Sequence, residues 1–79
     1  MSKILLVDDD QGTTKLLEHI LSEDGHEVKS LNDGDQTLSA ALAYDPNLIV
    51  LDLMMPSIDG LDVCRTLRAN PHLAHTPII

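Results

Sequence analysis

An α/β domain on an open parallel sheet of order 2-1-3 is the architecture expected of these 79 residues. Two apolar runs, Ile4–Val7 and Leu48–Leu51, are uninterrupted and end in acids, Asp8-Asp9-Asp10 and Asp52. Continuous runs mark strands buried on both faces, as in parallel sheets covered by helices. Helically spaced apolar residues lie between the runs, and a third, more polar stretch is short enough for a strand.

The first strand is Ile4–Val7. A helix comes next, with Asp10 as its N-cap, apolar residues at Leu16, Leu17, Ile20 and Leu21, and Gly25 as its stop. Val28, Lys29 and Ser30 form the second strand, whose polarity suits a sheet edge. A second helix begins after Asn32 or Asp33, turns Leu38, Ala41 and Leu42 to the core, and ends at Asp45-Pro46. Leu48–Leu51 is the third strand. Leu61, Val63, Cys64 and Leu67 then predict a third helix ending near Asn70-Pro71. His72–Pro77 reads as loop, and Ile78-Ile79 as the first residues of a fourth strand. With the polar strand outermost, the third run returns on the far side of the first, which puts a topological switch point between the first and third strands. Ligands of open α/β sheets bind at the carboxyl ends of strands beside such a point. Asp8, Asp9 and Asp52 fall there.

Composition narrows the function. Thirteen Asp and Glu against five Lys and Arg give a net charge of −8, which repels nucleic-acid phosphates. A single aromatic residue, Tyr44, leaves no platform for base stacking, so direct nucleic-acid contact is not expected. Cys64 is alone, which excludes an internal disulfide and a CxxC motif and fits a reducing compartment. No apolar run approaches a membrane span or a secretory signal, so a cytoplasmic protein with no membrane partner is the expectation.

Carboxylates at the ends of strands about 4.8 Å apart repel one another. At about 4 Å and an effective dielectric of about 20, one such pair costs about 4 kcal/mol. Protonation of one acid, solvent screening or a bound divalent cation would each relieve this. An all-oxygen site with few protein ligands suits Mg²⁺, which keeps several waters and accepts phosphate oxygens. An ionised Asp beside it is able to act as a nucleophile on phosphorus and form an acyl phosphate. Asp52, standing singly at its strand end, is the candidate nucleophile, and the Asp8-Asp9 pair is the candidate metal holder. Asp10 reads as a helix cap and Asp59-Gly60 as a turn and helix start. Met54 and Met55 read as packing residues, Pro56 as a rigid loop element, His19, His26, His72 and His75 as solvated, Cys64 as core, and Lys3 and Lys29 as ordinary surface charge.

Taken together, the apolar strand before Asp8-Asp9, the segment Leu51-Asp52-Leu53-Met54-Met55-Pro56, the continuation Asp59-Gly60-Leu61 and the ending Thr76-Pro77-Ile78-Ile79 resemble the receiver domain of two-component response regulators. The resemblance runs through residues 1–79. It implies a flavodoxin-like doubly wound sheet of order 2-1-3(-4), truncated after the start of strand four. It also implies a cytoplasmic signalling phosphoacceptor rather than an enzyme, taking a phosphoryl group on Asp52 from a sensor histidine kinase or phosphotransfer protein. Mg²⁺ would be held by Asp9 directly, by Asp8 through water, by Asp52, and by the backbone carbonyl of Met54. The family has five strand-and-helix units, and its hydroxyl residue in strand four and Lys in strand five would lie beyond Ile79. Without those groups Mg²⁺ binding is expected to survive, phosphorylation to be weakened and switching to be weakened most, and part of the first helix and one sheet face to stay uncovered.

Two alternatives stand beside this reading. One is a non-switching receiver-like module acting through protein contacts, as a homodimer or strand-exchanged oligomer. The other is an aspartyl-nucleophile phosphatase, which expects a second acid where Met54 stands. A nucleotide hydrolase is disfavoured because no GxxxxGK[ST] loop is present.

Overall fold

The structure is a computed structural model describing residues 2–55 and 59–79. Pro56, expected to be a rigid loop element, lies outside the described residues. The elements run β1 (Lys3–Val7), α1 (Gln11–Glu23), β2 (Glu27–Leu31), a 3₁₀ turn (Gly34–Gln36), α2 (Thr37–Tyr44), β3 (Leu48–Leu51) and α3 (Gly60–Ala69). The strands form one parallel sheet in the order β2-β1-β3, with Val7 opposite both Leu31 and Leu51. This is the expected flavodoxin-like arrangement. A fourth position beside β3 is also started: Ile78 bridges Ile49 in parallel, the Ile79 amide donates to the Ile49 carbonyl at 2.9 Å, and the Leu51 amide donates to that of Ile79 at 3.0 Å.

Alternation along the strands sorts side chains to two faces. Leu5, Val7, Ile49 and Leu51 meet Ala41 of α2, Leu67 of α3, Met55 and Leu73 in one buried cluster. Leu73 lies in a stretch expected to be loop only. It is drawn into the core because Arg68 Nη1 donates to the carbonyls of Leu73, Ala74 and Thr76 at 3.2, 3.2 and 2.6 Å, folding residues 70–76 back on α3. Ile4 and Leu6 are buried on the opposite face, where α1 packs against β2.

The expected helix faces need correction. Leu16 and Ile20 of α1 are 60% and 48% exposed, and Leu42 and Leu61 are also exposed. Because α1 lies over β2, a cleft of about 190 Å³ remains between Thr14 and Leu17 of α1 and Val50 and Asp52 on the β3 side. Cys64 is half-buried, packed against the core rather than within it. The start of the second helix also differs. Asp33 caps the 3₁₀ turn, Thr37 Oγ1 donates to the Gly34 carbonyl at 2.7 Å, and the α-helix begins only at Thr37.

The remaining boundaries obey local chemistry. Asp10 accepts from the Gly12 amide and the Thr13 hydroxyl at 3.0 and 2.8 Å, capping α1. After α1, Gly25 takes φ +89°, a left-handed conformation open to glycine without strain. Asp45 ends α2 at φ 54°, one of the few side chains that tolerate that region. Lys3 and Lys29 are more than surface charge, since each Nζ lies over the Tyr44 ring, 5.3 and 5.9 Å from its centroid. Burial first, and then the neighbouring Glu27 carboxylate, push the Tyr44 phenol up to about 12.

Candidate functional site

Asp8 and Asp52 each come directly after the last residue of a buried strand and remain tied to the neighbouring strand by their amides. The Asp8 amide donates to the Leu31 carbonyl at 3.0 Å and the Asp52 amide to the Val7 carbonyl at 2.9 Å. Their side chains therefore leave the sheet at the same rim, on adjacent strands. Asp9, next to Asp8, is exposed. Each of the three offers a carboxylate oxygen, and all of these lie within 4.8 Å of one another.

The surrounding hydrogen bonds orient the acids. The Asp10 amide donates to Asp8 Oδ1 and the Met54 amide to Asp52 Oδ1, both at 2.9 Å. Among the described residues no other donor reaches the Asp52 carboxylate, and none takes Oδ2. Asn32, at the end of β2, donates from Nδ2 to the Asp8 carbonyl at 2.8 Å and to Thr14 Oγ1 at 3.2 Å. Asn32 and the buried Thr14 thus fix the backbone of Asp8, a supporting role not anticipated from the residues. The available signal was the place of Asn32 just past the edge strand, at the rim where Asp8 and Asp52 end theirs.

The cluster is electrostatically loaded. The hydrogen bond from the Asp10 amide pulls the Asp8 carboxyl down. Burial and the charges of Asp52, Asp9 and Asp10 outweigh it, leaving Asp8 above the ordinary carboxylate value. No cationic side chain relieves the site, because the ion pairs among the described residues are His19 with Glu23 and Arg65 with Asp62. An Mg²⁺ ion with oxygens at about 2.1 Å spans at most about 4.2 Å between opposite ligands. The three carboxylate oxygens, all within 4.8 Å of one another, are gathered on that same scale. The residues fit a small divalent cation.

Beside the cluster, Met54 follows Asp52 by two residues, with its side chain 86% exposed and its amide donated to Asp52 Oδ1. Asp59 caps α3, accepting from the Leu61 amide at 2.9 Å. Among the described residues, no histidine joins a group able to hold a metal. Among the described residues, no helix is long and apolar enough to cross a membrane.

Comparison with known proteins extends the pattern beyond these residues. The family model described as the response regulator receiver domain matches residues 4–79. The alkaline phosphatase synthesis transcriptional regulatory protein PhoP of Bacillus subtilis (strain 168) is 44% identical over 66 residues, which are 84% of this chain and 28% of PhoP. The chemotaxis response regulator CheY4 of Vibrio cholerae superposes with a TM-score of 0.93 at 31% identity, over 99% of this chain and 65% of that one. A structure of the histidine kinase ThkA in complex with the response regulator TrrA matches with a TM-score of 0.87 at 32% identity, over 99% of this chain and 66% of the matched chain. The chain thus spans less than a third of PhoP and just under two thirds of the matched chains in the two solved structures. With the sheet order, the acidic rim and a family match running from the first strand to Ile79, the chain belongs to the response regulator receiver domain family of two-component signalling.

Proposed function

We propose that Asp52 accepts a phosphoryl group from a sensor histidine kinase or a phosphotransfer protein, with Mg²⁺ held by Asp9, Asp52, the Met54 carbonyl and, through water, Asp8. The convergence of three carboxylates within 4.8 Å at the switch point of the sheet carries this reading. Asp52 is the nucleophile because its Oδ1 is oriented by the Met54 amide while, among the described residues, no donor takes Oδ2. In the transfer, Oδ2 forms a bond to phosphorus as the donor's N–P bond breaks, and the electron pair remains on the donor imidazole. An already ionised carboxylate needs no general base. A bound divalent cation supplies neutralisation of the phosphoryl oxygens. The complex of ThkA with TrrA supports a histidine kinase as partner, since a response regulator similar in fold and sequence is bound there to a kinase.

In this reading residues 1–79 comprise the first three strand-and-helix units of a receiver and the opening of its fourth strand. The chain is a phosphoacceptor in the cytoplasm rather than a catalyst that turns over. The test is incubation with Mg²⁺ and acetyl phosphate, then intact mass measurement. A phosphoryl adduct is expected on the natural chain and lost in Asp52→Asn or with excess chelator. An equal adduct on Asp52→Asn would remove Asp52 from the role.

A further inference from the structure

Gly60 opens α3 with a buried, ordinary helical backbone, although glycine is among the poorest helix formers. Its φ lies outside the left-handed region, which among the glycines is taken by Gly25, so conformational freedom does not account for it. Space does. A Cβ on Gly60 would lie 2.6 Å from Leu53 Cα, 2.8 Å from Leu53 Cδ2 and 3.1 Å from the Leu53 carbonyl oxygen. The Leu53 side chain, which is exposed, is able to swing aside. Its Cα and carbonyl are main chain and yield only if the loop after β3 moves. The first turn of α3 therefore rests on the backbone of the residue between Asp52 and Met54, and the Leu53-Met54 peptide presents its amide to Asp52 Oδ1 at 2.9 Å.

We propose that Gly60 is a positioning residue for the phosphoacceptor. Its bare backbone seats α3 against Leu53 and holds the peptide whose amide orients the Asp52 carboxylate. The structural part rests on this contact alone, and its consequence for metal and phosphoryl binding rests on the function proposed above.

The experiment compares the natural chain, Gly60→Ala and Ile4→Val by amide NMR without metal and by Mg²⁺ titration calorimetry. Ile4 is buried away from the site, so Ile4→Val serves as a mild loss of stability. In Gly60→Ala the Met54 amide resonance is expected to leave its native position, and Mg²⁺ affinity to fall by about tenfold, as when a supporting contact of a metal site is lost. In Ile4→Val both are expected to hold. A folded Gly60→Ala with the Met54 amide unmoved would overturn the proposal. Should Gly60→Ala not fold, Leu53→Ala decides, because it keeps the main-chain contact. Its Met54 amide is expected to keep the native protection factor against hydrogen exchange, and loss of that protection would assign the effect to side-chain packing and end the proposal. Absence of Mg²⁺ binding by the natural chain would count against the phosphoacceptor reading, while the metal-free Met54 amide still decides the role of Gly60.

Discussion

Asp8 carries the charge tension of the rim. Its carboxyl is raised because burial and the charges of Asp52, Asp9 and Asp10 outweigh the favourable Asp10 amide bond. Between the ordinary carboxylate value and the raised folded value, the folded state holds more protons than the unfolded state, so this group's contribution to stability falls as pH rises through that window. Asp10 runs the other way, because bonds from the Thr13 hydroxyl and the Gly12 amide lower its pKa. Comparing the natural chain with Asp8→Asn, which keeps an oxygen acceptor for the Asp10 amide, isolates the first effect. Metal-free Asp8→Asn is expected to be the more stable of the two at neutral pH, with the gap closing on acidification, as urea midpoints across pH will show. Identical pH profiles would mean the strain is absent. Asp8 and Asp52 are legible in the sequence because an acid closing a buried apolar run has few structural explanations. Asn32 is not, because its bond to Asp8 joins residues 24 positions apart and depends on how β2 is seated.

Among the elements, α3 and the segment after it show most clearly how local signals meet tertiary ones. The Asp59 cap and the stop near Asn70 are local and legible, and the helix observed is Gly60–Ala69. Beyond it the sequence carries only loop signals, since nothing in His72–Pro77 announces that Leu73 is core. The three carbonyls on Arg68 Nη1 create that burial and deliver Pro77–Ile79 to β3. Arg68→Ala is expected to cost about 1 kcal/mol, as two of these three bonds to a charged donor are exposed and the third is only part-buried. The loss should be local: amide exchange at Ile49 and Ile79 should quicken, while amides between β1 and β2 stay protected. Uniform acceleration would show that Arg68 supports the whole fold instead of one segment. The late start of α2 has a similar origin, since Asp33 and Thr37 hold a 3₁₀ turn where spacing alone suggests a helix.

For the molecule as a whole, stability is concentrated on one side of the sheet. Leu5, fully buried between Ala41, Ile49, Leu67 and their neighbours, is the centre of the cluster, whereas Leu16 on α1 stands 60% exposed. Leu5→Ala is expected to cost about 2–5 kcal/mol by lost transfer energy and cavity formation. Leu16→Ala, despite the same chemistry, should change stability by no more than about 0.5 kcal/mol. Urea unfolding of both variants checks this, and a comparable loss in Leu16→Ala would mean that its face is covered in solution. The order β2-β1-β3 is deducible in advance because one strand is polar and two are apolar throughout. The lean of α1 toward β2 is not, because an amphipathic stripe records that a helix has an apolar face without recording which strand it lies over.

The residues alone settled the strand pattern, the sheet order and the three acids at one rim, because burial on both faces and abrupt change to charge are written in consecutive positions. The folded chain settled which apolar residues are core, which amides orient Asp8 and Asp52, and why a glycine opens α3. Those depend on distances between segments far apart in the chain, and such distances exist only once the backbone has packed against itself.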